Sequence, residues 1–269
     1  MTSNQACAER REILVAEDNE TNQIVLRKQL ALLGFVARIS RNGVEALECL
    51  RDREYPLLLT DLHMPRMDGY ELAAAVRASE TGSRRMPIVA LTANALKGDA
   101  ERCRDVGMDD RLIKPVNLAT LKAMLSKFLP DAFVTLAAPD DPHGSQIPPM
   151  KPEPVAPVAN LDVLIELIGD DPAAIDEVLT AFRVSAEQAS RDLNLSARTG
   201  SLRVASETAH RLKSGARTLG ATRLAEVCSA IEANAEAGGI AALSALLPRF
   251  EAELRAVYLF LNSIPSRAR

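Results

Sequence analysis

Residues 57–69 read LLLTDLHMPRMDG, an apolar run that ends in an aspartate and is followed by a proline and an Asp-Gly pair. Short apolar runs bounded by turn residues are typical of strands that are buried on both faces of a parallel sheet. This stretch predicts a strand over 56–61. Four other runs predict further strands, and they are EILVAE (12–17), FVARI (35–39), PIVALT (87–92) and RLIKP (111–115).

Amphipathic stretches lie between and after these strands. They predict helices over residues 20–33, 43–53, 69–79, 95–106 and 117–129. Continuous apolar strands that alternate with helices indicate an α/β domain, whose five-stranded parallel sheet is covered on both faces. Open sheets of this kind place their binding sites at the carboxyl ends of the strands.

A proline-rich stretch divides the chain, because eight of its 15 prolines lie between Pro130 and Pro157. Proline favours extended backbone, so we expect a semi-rigid linker over 131–158. Beyond the linker the strand signals give way to a 3.6-residue periodicity, which predicts an all-α bundle over 159–262. The first domain would then cover residues 11–130.

Composition excludes several classes of function. The chain has 269 residues, 47% hydrophobic and 25% charged, with a net charge of −4. No segment is basic enough to indicate nucleic-acid binding, and no apolar run is long enough to span a membrane. The four cysteines lack metal-ligand spacing, and the N-terminus has no signal-peptide core, so we expect reduced thiols and a cytoplasmic protein.

Polar residues at the predicted strand ends form one group. Glu17 and Asp18 close the first strand, Asp61 the third, Thr92 the fourth and Lys114 the fifth. Three clustered carboxylates repel one another unless a cation joins them, and hard oxygen ligands suit Mg²⁺. Asp61 is then a candidate nucleophile for a phosphoryl group, whose oxygens Lys114 and Thr92 would neutralise.

The motifs ILVAEDN (13–19), LLLTDLHMPRMDG, IVALTA (88–93) and Lys114-Pro115 together resemble the receiver domain of two-component response regulators. The resemblance implies a flavodoxin-like doubly wound fold, with Asp61 as the phosphoacceptor. It also implies that Glu17, Asp18 and Asp61 hold Mg²⁺ together with the backbone carbonyl of His63.

Two positions bear on alternatives to this interpretation. Arg111 stands where receivers usually carry an aromatic residue, so the aromatic half of their conformational switch is absent. A phosphatase of the haloacid dehalogenase type also uses an aspartate nucleophile with lysine and acidic Mg²⁺ ligands. Such an enzyme needs a second aspartate as general acid two residues after the nucleophile, where this chain has His63.

His210 begins the segment HRLKSGARTLGA (210–221). On a helix, Lys213, Ser214 and Arg217 share its face, which predicts an exposed imidazole on a small, basic stripe. A neutral imidazole is a competent phosphoryl acceptor, and Lys213 would stabilise the phosphoryl oxygens. The segment resembles the histidine phosphotransfer (HPt) domain, although Ser214 stands where glycine is commoner.

The two resemblances together imply a phosphorelay. Asp61 would take a phosphoryl group from a sensor histidine kinase and pass it to His210, which would hand it to a downstream response regulator. The receiver–linker–HPt order resembles the C-terminal tail of hybrid sensor histidine kinases. The sequence carries no ATP-binding kinase motif, so the chain is expected to act as a phosphotransfer intermediate. The alternative is a receiver that regulates a partner by docking, with an idle HPt domain.

Overall fold

The computed structural model describes residues 11–80, 85–93, 97–134, 158–237 and 239–264. In the first half, five strands form one parallel sheet in the order β2-β1-β3-β4-β5. The strands are β1 Glu12–Ala16, β2 Val36–Ser40, β3 Leu58–Asp61, β4 Ile88–Thr92 and β5 Asp110–Ile113. The predicted α/β architecture of the flavodoxin-like type is confirmed.

Five helices cover the two faces of the sheet. They are α1 Glu20–Leu32, α2 Gly43–Asp52, α3 Gly69–Ser79, α4 Lys97–Asp105 and α5 Leu118–Phe128. Alternate residues of each strand enter different apolar layers: Ile13 and Val15 lie in one, and Leu14 and Ala16 in the other. The predicted strands and helices begin and end within two residues of the observed ones, except that residues 95 and 96 of the fourth predicted helix lie outside the described residues.

The start of the predicted linker is helical. A short helix, α6, covers Pro130–Val134, because proline is well suited to the first position of a helix. The ring of Phe133 lies 5.6 Å from that of Phe35, which holds α6 against the α/β half. The expectation of extended backbone is therefore wrong for residues 131–134, and residues 135–157 lie outside the described part of the chain.

The described residues of the second half form helices joined by short turns, as predicted. Its helices are α7 Leu161–Ile168, α8 Pro172–Thr199, α9 Leu202–Thr218, α10 Thr222–Ala237 and α11 Gly239–Ser263. The long helices α8 to α11 pack around a core in which Phe182 and Phe250 are fully buried. Asp171 caps α8, with Pro172 in its first turn.

The two halves pack against each other through α1. Ile24 and Val25 of this helix belong to the same buried apolar cluster as Leu164 of α7 and Val178 of α8. This contact brings the carboxyl edge of the sheet against α9, the helix that carries His210.

Candidate functional site

Three carboxylates converge at the carboxyl edge of the sheet. Glu17 and Asp18 follow β1, and Asp61 ends β3, the neighbouring strand. One oxygen from each carboxylate lies within 4.8 Å of the other two. Parallel pairing explains this convergence, because it brings the ends of strands far apart in sequence to one edge.

Lys114 and Thr92 complete this acidic pocket. The Lys114 ammonium donates to Asp61 Oδ2 at 2.6 Å and to Glu17 Oε2 at 2.7 Å. Burial disfavours the charged form of Lys114 and so lowers its pKa. The two carboxylates favour the charged form more strongly, and the pKa of Lys114 is therefore raised above its usual value. Thr92 is buried at the end of β4, the strand between those of Asp61 and Lys114.

The three carboxylate side chains of the acidic pocket are crowded and at most 6% exposed. Burial, together with the carboxylates of Glu17 and Asp61, raises the pKa of Asp18 to about 8. Burial also raises the pKa of Glu17, against the opposing effect of Lys114. A divalent cation bound by these hard oxygen donors would favour their ionised forms, so the three residues fit a cation site.

The loop after β3 shapes the acidic pocket. A Cβ atom on Gly69 would lie 2.1 Å from the carbonyl oxygen of Asp61, so only glycine allows this approach of α3 to β3. Asp68 caps α3 in a reciprocal arrangement with Glu71. The amide of His63 lies 3.4 Å from Asp61 Oδ1, which places the His63 backbone beside the pocket.

His210 is held by a carboxylate on the next helix. Its Nδ1 lies 2.6 Å from Glu232 Oε1, and Glu232 also pairs with Lys213. Despite burial, hydrogen bonds from His210 and Lys213 lower the pKa of Glu232 to about 2. The sequence gives no local signal for Glu232, because it lies on α10, 22 residues away.

The expectation of an exposed imidazole is wrong, because the His210 side chain is only 14% exposed. Its ring centroid lies 4.8 Å from that of His63, and the two rings meet edge to face. His63 is two residues after Asp61, so the docked halves bring His210 to the rim of the acidic pocket. Burial and the neighbouring His210 lower the pKa of His63.

Two asparagines of α1 and its cap join the halves around this contact. Asn19 Nδ2 donates to the carbonyl oxygen of Arg211 at 2.7 Å. Asn22 Nδ2 lies 2.8 Å from Ser214 Oγ and 3.0 Å from Glu17 Oε1, so one amide links the acidic pocket to α9. Their role is visible only in the docked structure, because in sequence both asparagines are ordinary helix-start residues.

Arg217 lies on α9 and Arg111 lies on β5. Arg217, predicted on the His210 face, donates to the carbonyl oxygen of Ala93 at 2.9 Å and so serves the contact between the halves. Arg111, at the position of the usual aromatic switch, keeps its Nη1 buried with no hydrogen-bond acceptor among the described residues.

Within the described part of the chain, no helix is both long and apolar enough to cross a membrane.

Comparisons with known proteins agree with this architecture. A model of the response regulator receiver domain matches residues 13–126, and a model of the Hpt domain matches residues 177–258. The virulence sensor protein BvgS of Bordetella pertussis is 30% identical over 261 residues, which cover 91% of this chain and 20% of BvgS. The sensor protein EvgS of Escherichia coli K12 is 40% identical over 119 residues, or 44% of this chain and 10% of EvgS.

Among solved structures, the magnesium-bound receiver domain of the sensor histidine kinase PA1611 from Pseudomonas aeruginosa is 42% identical, with a TM-score of 0.41. The match covers 44% of this chain and 96% of that domain. The chain spans a fifth or less of the length of the two curated relatives named above. Residues 13–126 therefore match a response regulator receiver domain and residues 177–258 an Hpt domain, an arrangement that supports phosphorelay signal transduction.

Proposed function

We propose that Asp61 accepts a phosphoryl group from the phosphohistidine of a sensor histidine kinase and passes it to His210 of the same chain. A receiver domain of a downstream response regulator then takes the group from His210. The observation that carries this proposal is the contact between the rings of His210 and His63. This contact brings His210 to the rim of the acidic pocket that holds Asp61.

The residues of each site suit the two steps. A carboxylate oxygen of Asp61 attacks phosphorus while the bond to the kinase imidazole breaks, which leaves an acyl phosphate on Asp61. The Nε2 atom of His210 then attacks this phosphorus, and the bond to Asp61 breaks to restore the carboxylate. Since Glu232 is an anionic acceptor, we assign the proton of neutral His210 to Nδ1, which leaves the lone pair on Nε2.

The acidic pocket is also proposed to hold Mg²⁺ through Glu17, Asp18, Asp61 and the backbone carbonyl of His63. When bound, the ion supplies positive charge for the phosphoryl oxygens. Lys114 adds a fixed positive charge, and the Thr92 hydroxyl donates a hydrogen bond to the same oxygens. Lys213, which pairs with Glu232 in this structure, would stabilise the phosphoryl group on His210.

We propose residues 11–134 as the receiver domain, with α6 included, and residues 159–262 as the HPt domain. The segment between them is the linker, and the free thiols of the described cysteines suit a cytoplasmic location. The docked arrangement favours a relay over an idle HPt domain, because His210 meets the receiver rather than facing away from it. The phosphatase alternative lacks its general acid, since His63 stands at that position.

Chemical lability of the label tests the two acceptors. The full chain is labelled with radioactive acetyl phosphate and Mg²⁺, then divided between acid and base. An acyl phosphate on Asp61 is lost in base, whereas a phosphoramidate on His210 is lost in acid. We expect Asp61→Asn to take up no label and His210→Gln to hold only base-labile label. Acid-labile label that persists in His210→Gln would contradict the assignment of His210.

A further inference from the structure

Helix α7 lies outside both matched segments, yet it contacts both the receiver and the long helices of the bundle. The receiver model ends at residue 126 and the Hpt model begins at residue 177, whereas α7 covers Leu161–Ile168. Its buried residues Leu164 and Ile168 share an apolar cluster with Ile24 and Val25 of α1. The helix therefore lies between the receiver and the long helices of the bundle.

On the bundle side, α7 is fixed at its start. The amide of Asn160, its N-cap, donates to the carbonyl oxygen of Leu219 at 3.0 Å. Gly220 has a φ of +62°, and a Cβ atom there would lie 2.9 Å from the carbonyl oxygen of Asn160. This close packing attaches α7 to the end of α9 and makes it part of the bundle.

On the receiver side, one buried amide holds the end of α7. Gln29 of α1 is fully buried, and its Nε2 donates to the carbonyl oxygen of Leu167 at 3.0 Å. The same nitrogen donates to the carbonyl oxygen of Val116 at 2.7 Å, in the loop after Lys114. Leu167 is in the last turn of α7, where carbonyls lack partners within the helix, so Gln29 supplies a bond that the bundle does not.

The exposed ion pairs at the edge of this contact contribute less than Gln29 to the choice of receiver. Glu177 of α8 pairs with Arg27 and Lys28 of α1, and all three side chains are substantially exposed. Exposed ion pairs contribute little to stability and are screened by salt. Loss of a buried amide that donates to two buried carbonyls costs more, because both carbonyl oxygens are then left without a donor.

We infer that α7 and Gln29, together called the α7 latch, give the bundle a preference for the receiver of its own chain. The latch fits a receiver whose first helix presents an apolar pair like Ile24 and Val25 and a buried amide like Gln29. A receiver without that amide leaves the Leu167 carbonyl unpaired and docks more weakly. The inference rests on the proposed function, since docking matters because it brings His210 to Asp61.

Transfer between two chains tests the latch. The donor is the His210→Gln chain labelled on Asp61, and the acceptor is the Asp61→Asn chain, whose bundle is covered by its own receiver. Gln29→Met in the acceptor keeps the side-chain length but removes both hydrogen bonds, so the acceptor's bundle should be free more often. We expect label to reach its His210 about fivefold faster, a factor that corresponds to about 1 kcal/mol.

The control is Gln23→Met in the same acceptor. Gln23 lies on the same helix, but its amide donates to the carbonyl oxygen of Glu17 within the receiver, so the rate should not change. Because the acceptor's receiver already carries Asp61→Asn, loss of phosphoryl acceptance at its pocket cannot alter the result. An unchanged rate with Gln29→Met, or an equal acceleration with Gln23→Met, would overturn the latch.

Hydrogen exchange of the full chain separates this inference from the proposed function. We expect the amides of Leu161–Ile168 to exchange faster in Gln29→Met than in the wild type or in Gln23→Met. Equal exchange in all three chains would contradict the latch, even if phosphoryl transfer proceeds. If no label ever reaches His210, the proposed function fails, while faster exchange in α7 would still support the latch.

Discussion

Glu232 is the single residue that most directly prepares His210 for transfer. In the tautomer that we assign, its carboxylate accepts from Nδ1–H and leaves the Nε2 lone pair available. We expect Glu232→Ala to slow transfer from Asp61 to His210 about tenfold, by analogy with the roughly 10- to 100-fold effect of removing a carboxylate that orients a metal-bound histidine. Single-turnover labelling measures the rate, and nitrogen chemical shifts of His210 measure the tautomer.

The control for this change is Glu226→Ala, which removes an exposed carboxylate from the same helix. It should leave both the rate and the tautomer as in the wild type. Glu232→Gln should recover part of the lost rate, because the amide oxygen can still accept from Nδ1–H. If Glu232→Ala transfers at the wild-type rate, Glu232 has no positioning role.

Glu232 also makes the bundle sensitive to acid. Its pKa is about 2 in the folded chain, below the ordinary value of 4.5, so the anion stabilises the fold. This contribution is fully present above about pH 4.5 and is lost as the pH falls towards 2. We expect the wild type to lose about 2 kcal/mol more than Glu232→Gln over this range. Urea unfolding of the bundle at several pH values measures the difference, and parallel losses in the two chains would contradict it.

Single-residue prediction from the sequence succeeds where a local rule fixes the position. Glu17, Asp61 and Lys114 come together because each lies at the carboxyl end of a parallel strand, and the strands are visible as apolar runs. Glu232 and Asn22 act across helices or across domains, and no spacing in the sequence relates them to His210 or Ser214. Their roles depend on packing, which requires the folded molecule.

At the scale of elements, the junction of β3 and α3 is the most constrained. Gly69→Ala places a Cβ atom against the Asp61 carbonyl, so the strand end or the helix must move. We expect a loss of stability of about 2 kcal/mol, typical of overpacking, and slower labelling of Asp61 by acetyl phosphate. Thermal unfolding and the labelling rate measure the two effects.

Ala74→Gly, at an exposed position of α3, is the matched control for this junction. It should cost about 1 kcal/mol through helix propensity alone and leave the labelling rate unchanged. If Gly69→Ala labels as fast as Ala74→Gly, the close approach at Gly69 does not shape the site.

The element bounds follow from the sequence because apolar periodicity and cap residues are local signals. Asn19, Asn42, Asp68 and Asn117 each precede a helix and cap it as such residues do. The exception is α6, where Pro130 indicates extended backbone but begins a helix instead. The packing of Phe133 on Phe35 decides this case, and that contact joins residues nearly 100 positions apart.

At the scale of the whole molecule, docking of the receiver on the bundle is the feature that the sequence does not specify. The linker is long enough to allow it, but Ile24, Val25 and Gln29 resemble any residues of an amphipathic helix. Their burial against α7 and α8 places His210 beside the acidic pocket. The tether is expected to hold the two domains at effective concentrations near the millimolar range, above those of most signalling proteins.

The most direct test of this account is the rate at which label moves from Asp61 to His210 at different protein concentrations. Wild-type chain is pulsed with labelled acetyl phosphate, and the conversion of base-labile into acid-labile label is followed over a hundredfold dilution. The account predicts one first-order rate at every concentration, and much slower transfer in a mixture of labelled His210→Gln with Asp61→Asn chains. A wild-type rate that falls in proportion to concentration, or a mixture that transfers as fast as the wild type, would contradict transfer within one chain.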